Sequence, residues 1–360
     1  MIDSESFSPE WISKVAEEHN IGNRAIVERV IHAFALVELL SVSGLDFVFK
    51  GGTCIMLLFP DELNRMSVDV DIVCPPGTDI LQHLSKHADY GFTRIDGPVR
   101  HPATGINLPA AHAKLRYNLA FPMGHSNSSH IVLDVLYADY HYNQTKHVPI
   151  AHGLLMNKGE PFSVRVPTAG NLLVDKLTAY APHTSGIPFV QEDRERNAEI
   201  IKQLYDVGRL FDKIGDDISS LSGVFSDICR QELSYKTDTG TIDSVYSDIR
   251  GTSLCLSCEG DVAQDEYRVL FDGVHLFRKY LYHGKSYNAT KAVADAAKAA
   301  YLATAIQRGK PAIEHYRQDA NMPDPPDNFA AVLHKRLLKL KKGNPEAFFY
   351  WVKVAELLQA

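Results

Sequence analysis

Asp69 and Asp71 alternate with Val68, Val70 and Ile72. In an extended strand successive side chains point to opposite faces, so both carboxylates share one face while the apolar residues pack on the other. Two like charges at adjacent same-face positions repel each other, and on a half-buried strand they call for a compensating cation. Asp134 stands in the run IVLDVLY, where both faces are otherwise apolar. A buried carboxylate is costly, so a metal ion or a cationic side chain is its natural complement. If its strand lies beside the 68–73 strand, three carboxylates converge. That arrangement suits two-metal phosphoryl chemistry, in which ions bridge phosphates, activate an attacking oxygen and neutralise the leaving group. Taken singly, the acid pair also fits a solvated strand edge, and Asp134 a local hydrogen bond.

Gly51-Gly52-Thr53 supplies the other half of such a site. The preceding run LDFVF, residues 45–49, is short, apolar and rich in strand formers, and a short helix is expected over 53–59. Between strand and helix, glycines let the backbone approach an anion closely, and the helix N-terminus adds a favourable dipole, as a triphosphate requires. A Gly-Gly turn is also an ordinary connector.

These residues need elements to hold them. Ser8-Pro9 reads as an N-cap and first helical turn, leading a helix to residue 18, and 23–40 carries apolar residues at three- and four-residue spacing. Strands are expected at 68–73, 92–95, 113–121, 131–137 and 162–166, with a helix over 79–88. Beyond Thr168 the period turns helical, most clearly over 172–180, 196–211, 262–282, 289–306 and 345–358. The expected class is α+β. Residues 1–44 are N-terminal helices packing on the core, 45–167 a catalytic domain, and 168–360 a helical domain.

The stretch FKGGTCIMLLFPDELNRMSVDVDIV resembles the first motif of the AbiEii/AbiGii toxin nucleotidyltransferases, a branch of the polymerase-beta-like superfamily that includes the MenT-like toxins. There a Gly-Gly-Ser/Thr turn precedes an Arg-x-Ser-x-Asp-x-Asp strand. Here Gly51, Gly52 and Thr53 match the turn, and Arg65, Ser67, Asp69 and Asp71 match the strand in order. NLLVDKLTAYAP resembles the family helix with an essential lysine, which falls on Lys176; KQLYDVGRL resembles the next helix, whose aspartate falls on Asp206.

The resemblance implies a nucleotidyltransferase-type mixed sheet flanked by helices, with a helical C-terminal domain contributing to the active site. It implies Mg²⁺, two ions held by Asp69, Asp71 and Asp134, with Asp134 taken from the superfamily's third strand. Asp69, Asp71, Lys176 and Asp206 become the catalytic set. Gly51, Gly52, Thr53, Arg65, Ser67 and Lys176 become the nucleotide-binding set. The implied reaction moves NMP from an NTP to an acceptor, the tRNA 3′ end, in a bacterial toxin–antitoxin system whose antitoxin is a DNA-binding regulator from the adjacent gene. Nucleotidylation of a protein or an aminoglycoside uses the same core, and a nucleotide-binding regulator without turnover is the non-enzymatic alternative. Without the resemblance, Lys176 reads as a solvated helix lysine. Asp206 lies off the stripe of Ile200, Leu204, Val207 and Phe211, and would pair with Lys202 on an exposed face.

Bulk properties set limits. With 44 acids against 37 bases the net charge is −7, which argues against a general nucleic-acid-coating protein but leaves a local basic face open. Sparse cysteines and the absence of an apolar leader or spanning stretch point to a cytoplasmic protein with no membrane partner. Cys255 and Cys258 have half a zinc spacing with no second half. The basic run 334–342 reads as a charged helix face capping the bundle, or as an RNA-backbone contact. Gly284-Lys285-Ser286 lacks a P-loop's first glycine, Lys279 standing in its place.

Overall fold

Ser8 accepts a hydrogen bond from the amide of Trp11 and Pro9 takes the first helical position, which together start α1, Pro9–Glu18. The computed structural model describes residues 1–60, 65–100, 109–123, 126–236, 240–281, 285–319 and 322–359. The chain divides into two compact units: Met1–Thr168 with Tyr280–Lys285, and Ala169–Lys279 with Ser286–Ala360.

The first unit continues with α2, Arg24–Val42, then β1, Val48–Lys50, and α3, Gly51–Leu58. Next come β2, Val70–Cys74, and the short α4, Ile80–His83. Strands β3, Phe92–Arg100, β4, Ala110–Met123, and β5, Ser126–Tyr137, follow. They form one five-stranded sheet in the order β1-β2-β5-β4-β3. Only β2 and β5 run parallel; the other neighbours are antiparallel, so the sheet is mixed. Its buried face carries Val70, Ile72, Ala113, Leu115, Leu133 and Val135, and α2 packs on β2, β4 and β5. Helix α2 is apolar nearly all round, as a helix enclosed by neighbours must be.

One local expectation changes here, and one expected strand is found in a sheet of its own. The helix over 79–88 is instead α4 followed by a 3₁₀ turn, His87–Tyr90, closed by Gly91 at φ 79°. Ile80 and Leu84 share a helical face, but the buried Tyr90 falls off it, so one continuous helix would expose it. The strand expected at 162–166 is found as β7, Ser163–Pro167, and among the described residues it pairs with β6 alone, Thr145–Pro149, in a separate two-stranded sheet. Just Val148 of β6 is buried, too little alternation to signal a strand.

The second unit is helical: α5, Ala169–Ala179, α6, Asn197–Phe211, α7, Leu221–Ser234, α8, Ile242–Ser257, and α9, Gln264–Phe277. A small hairpin, β8 (Val190–Gln191) and β9 (Arg194–Glu195), precedes α6. The unit ends with α10, Ala289–Gln307, α11, Phe329–Val332, α12, Leu340–Gly343, and α13, Pro345–Gln359. Helix α10 lies at its centre against α6, α8 and α13, its alanines allowing close approach. Helices α7 and α8 had no clear sequence signal. In α8 the buried Asp248, Thr252, Ser253 and Ser257 interrupt the apolar pattern that would have revealed it.

The basic run 334–342 is not one amphipathic helix. It is a 3₁₀ turn, Lys335–Lys339, followed by α12, and two of its charges are engaged: Arg336 with Glu259 and Asp261, Lys341 with Asp324. Cys255 and Cys258 are buried free thiols, and Cys255 Sγ donates to the Ala263 carbonyl at 3.3 Å.

Candidate active site

Strand β1 passes straight into α3 at Gly51, whose φ of +80° suits glycine. A Cβ there would lie 1.9 Å from Asp71 Oδ2, and one on Gly52 would lie 2.4 Å from Arg65 Nη2 and 2.6 Å from Ser67 Oγ. The two glycines thus give their side-chain space to the very residues of the Arg-x-Ser-x-Asp-x-Asp strand. No side chain caps the start of α3, where the first-turn amides have no acceptor within the helix. Thr53 is fully buried, and its hydroxyl donates to the Asp69 carbonyl at 2.6 Å. Its side chain therefore braces the helix against the acid-bearing segment, leaving its backbone amide as the group available to a phosphate.

Arg65 is 3% exposed, and its Nη1 donates to the Met66 carbonyl at 3.3 Å. The same segment is tied to the returning chain: Arg65 forms a β-bridge with Leu281, and the Met66 amide donates to the Tyr280 carbonyl at 2.7 Å. This backbone anchoring sets where Ser67 and the acid pair begin.

The central strands then line up one transverse row. Asp71 of β2 is the register partner of Asp134 on β5, and Lys50 of β1 stands opposite Asp71. On the far side, His112 of β4 stands opposite Asp134. Register partners project to the same face, so Lys50, Asp71, Asp134 and His112 share the one opposite the buried Val70, Ile72, Leu133 and Val135. Asp69 lies just before β2 and is exposed. The Asp134 carboxyl is pushed up to about 7, by burial first and then by the charges of Asp71 and Asp69. Among the described residues, no group of three or more His, Cys, Asp or Glu is drawn together tightly enough to hold a metal ion. The donor set fits a hard divalent cation, which takes oxygen ligands and would relieve the repulsion.

Lys50 and His112 are the members of this row that motif reading missed. Lys50 directly precedes Gly51, but only the β1–β2 register shows that it faces Asp71.

In the second unit, Lys176 of α5 and Asp206 of α6 form a buried ion pair, Nζ to Oδ2 3.5 Å, with Lys176 Nζ also donating to Gln203 Oε1 at 3.1 Å. Lys176 is therefore buried rather than solvated, and Asp206 does not lie on an exposed face. Helices α5, α9 and α10 all pack on α6, so its buried surface is wider than the apolar stripe and takes in Asp206, at 0% exposure.

A mixed sheet in which β2 carries Asp71, with Asp69 just before it, beside Asp134 of its parallel neighbour and an uncapped Gly-Gly helix start, has the features of a nucleotidyltransferase. The profile of the family described as "Nucleotidyl transferase AbiEii toxin, Type IV TA system" matches residues 35–339, and the chain belongs to that family. It is thus a nucleotidyltransferase toxin of a type IV toxin–antitoxin system, with an antitoxin as counterpart. Among solved structures it is similar to JHP933 from Helicobacter pylori, at 12% identity and TM-score 0.39, covering 86% of this chain and 95% of that one. It is also similar to MenT4, a nucleotidyltransferase toxin from Mycobacterium tuberculosis H37Rv, at 16% identity and TM-score 0.41, covering 83% and 93%. No curated protein matches the chain. Among the described residues no helix is long and apolar enough to cross a membrane.

Proposed function

We propose that the chain transfers a nucleoside monophosphate from an NTP to the 3′ end of tRNA, releasing pyrophosphate, with Asp69, Asp71 and Asp134 holding two Mg²⁺ ions. The observation that carries this reading is the register pairing of Asp71 with Asp134, where Asp134 is pushed up to about 7 by burial and by its two acidic neighbours. When bound, the ions neutralise phosphate charge and activate the attacking hydroxyl. The chain's own groups do the rest. First-turn amides of Gly51, Gly52 and Thr53 receive the phosphates at the helix N-terminus. The Arg65 guanidinium, packed beside Gly52, adds positive charge there, and Ser67 Oγ next to it steadies the same turn. Lys50 stands opposite Asp71 on the neighbouring strand and adds a positive charge to the same face. The family resemblance gives Lys176 the role of a point charge toward the nucleotide, and within its own unit Asp206 lies 3.5 Å from that ammonium and holds it in place. The tRNA acceptor comes from the family resemblance, as do a cytoplasmic site of action and a DNA-binding antitoxin encoded next door.

The test is incubation with each α-labelled NTP, Mg²⁺ and total cell extract. Label is expected in tRNA, and is expected to vanish with a chelator and in Asp71→Asn. Label in protein or in a small molecule overturns the acceptor; label retained by Asp71→Asn overturns the metal site.

A further inference from the structure

The face that carries the Lys50–Asp71–Asp134–His112 row continues along β4 with a second kind of charge. The next same-face residues are Lys114 and Arg116, opposite Val132 and His130 on β5 and opposite Asp96 and Arg94 on β3. Arg94 and Arg116 share one carboxylate: their Nε atoms lie 2.6 and 2.5 Å from the two oxygens of Asp96. Their side chains remain 72% and 43% exposed. Among the described residues no anion pairs with Lys114. Three cations thus face one carboxylate, a local inversion on a chain of net charge −7. The field is felt nearby. His130 is held below the usual imidazole range by burial first, then by Lys114, Arg29 and Arg116, against a pull from Asp96.

Position says which anion these cations serve. Same-face steps along an antiparallel strand are about 7 Å, so Lys114 and Arg116 stand roughly 7 and 14 Å beyond the row. The Gly51–Gly52 helix start lies at the β1 side, three strand spacings or about 14 Å across the sheet from β4. An NTP seated at Gly51–Gly52 leaves the β4–β3 side to another polyanion, one that reaches the carboxylates from the opposite flank.

We propose that Lys114, Arg116 and Arg94 form a track for the phosphodiester backbone of an RNA acceptor, whose terminal hydroxyl meets the row at Asp134. This rests on the reading that the acceptor is RNA. Phosphate contacts of this kind orient the chain without reading its bases, so the track governs affinity and register rather than sequence choice.

The experiment measures tRNA binding against salt, and transfer kinetics, for wild type, Lys114→Gln/Arg116→Gln and Asp96→Asn, all with Mg²⁺. Losing two phosphate contacts is expected to lower the slope of log affinity on log salt by about 1.4 and to weaken tRNA binding about tenfold. The rise should fall on KM for tRNA rather than on KM for NTP. Asp96→Asn frees two guanidiniums, and is expected to tighten tRNA binding, a gain that misfolding does not mimic. A double variant that binds and labels tRNA like wild type overturns the track while leaving the acceptor reading intact. A rise confined to KM for NTP overturns it too, assigning the cations to the donor. Wild-type protein that neither binds nor labels RNA overturns the acceptor reading and the track together.

Discussion

Replacing Lys176 with methionine takes the buried cation away from an Asp206 carboxylate that has 0% exposure. Breaking a buried ion pair from one side costs about 3–5 kcal/mol, because the remaining charge stays desolvated. The Lys176 side chain is 10% exposed and its Nζ is 3.5 Å from the carboxylate, so some solvent screening enters and the lower end, about 3 kcal/mol, applies. For a helical unit of this size that is a fall in Tm of about 6–12 °C. The double variant Lys176→Met/Asp206→Leu exchanges the pair for apolar volume and is expected to recover most of the loss. Calorimetry or denaturant melts measure this, and transfer of label measures activity in the same samples. If Lys176 touches the nucleotide, activity is lost in single and double variants alike. A double variant that regains both stability and transfer would refute the nucleotide contact and leave a purely structural pair. A single variant with unchanged Tm would refute the desolvation argument.

Asp134, with a carboxyl near pH 7 in the folded chain against about 3.9 unfolded, binds an extra proton in the folded state between those values. Its contribution to stability is therefore complete below about pH 4 and lost as pH rises through 7. In chelator-treated protein, wild-type Tm should fall from about pH 5 to 8 more steeply than that of Asp134→Asn; parallel curves would count against the burial and charge argument. The limit is about 4 kcal/mol, less for partial exposure. Gly51→Ala places a methyl 1.9 Å from Asp71 Oδ2 at a backbone φ of +80°. A displacement of the acid by about 1 Å is expected to lower transfer on the order of 100-fold, and an alanine variant with wild-type kcat would remove Asp71 from the reacting centre.

Much of the site was readable one segment at a time. Alternation places Asp69 and Asp71 on one side of an extended segment, and a strand that breaks at Gly-Gly before a helical run marks an uncapped helix start, because both patterns express local backbone geometry. Long helices such as α2 and α10 were visible for the same reason. Their period is set by neighbours three and four residues away. Pairings between distant segments were not readable that way. That β5 lies parallel to β2 with Asp134 beside Asp71, and that Lys50 and His112 flank the row, depends on strand order and register. Register is decided by the summed packing of a whole sheet on α2, and no single segment contains it. Asp206 makes the same point in the helical unit. By its place on α6 it looked exposed, yet α5, α9 and α10 enclose that helix and bury it beside Lys176. Sequence alone marked the candidate residues of the Gly-Gly-Thr turn and the aspartates, and most of the elements that hold them. Tertiary structure decided which charges become neighbours and how much water they keep, because burial and Coulomb energy depend on distances through space rather than along the chain.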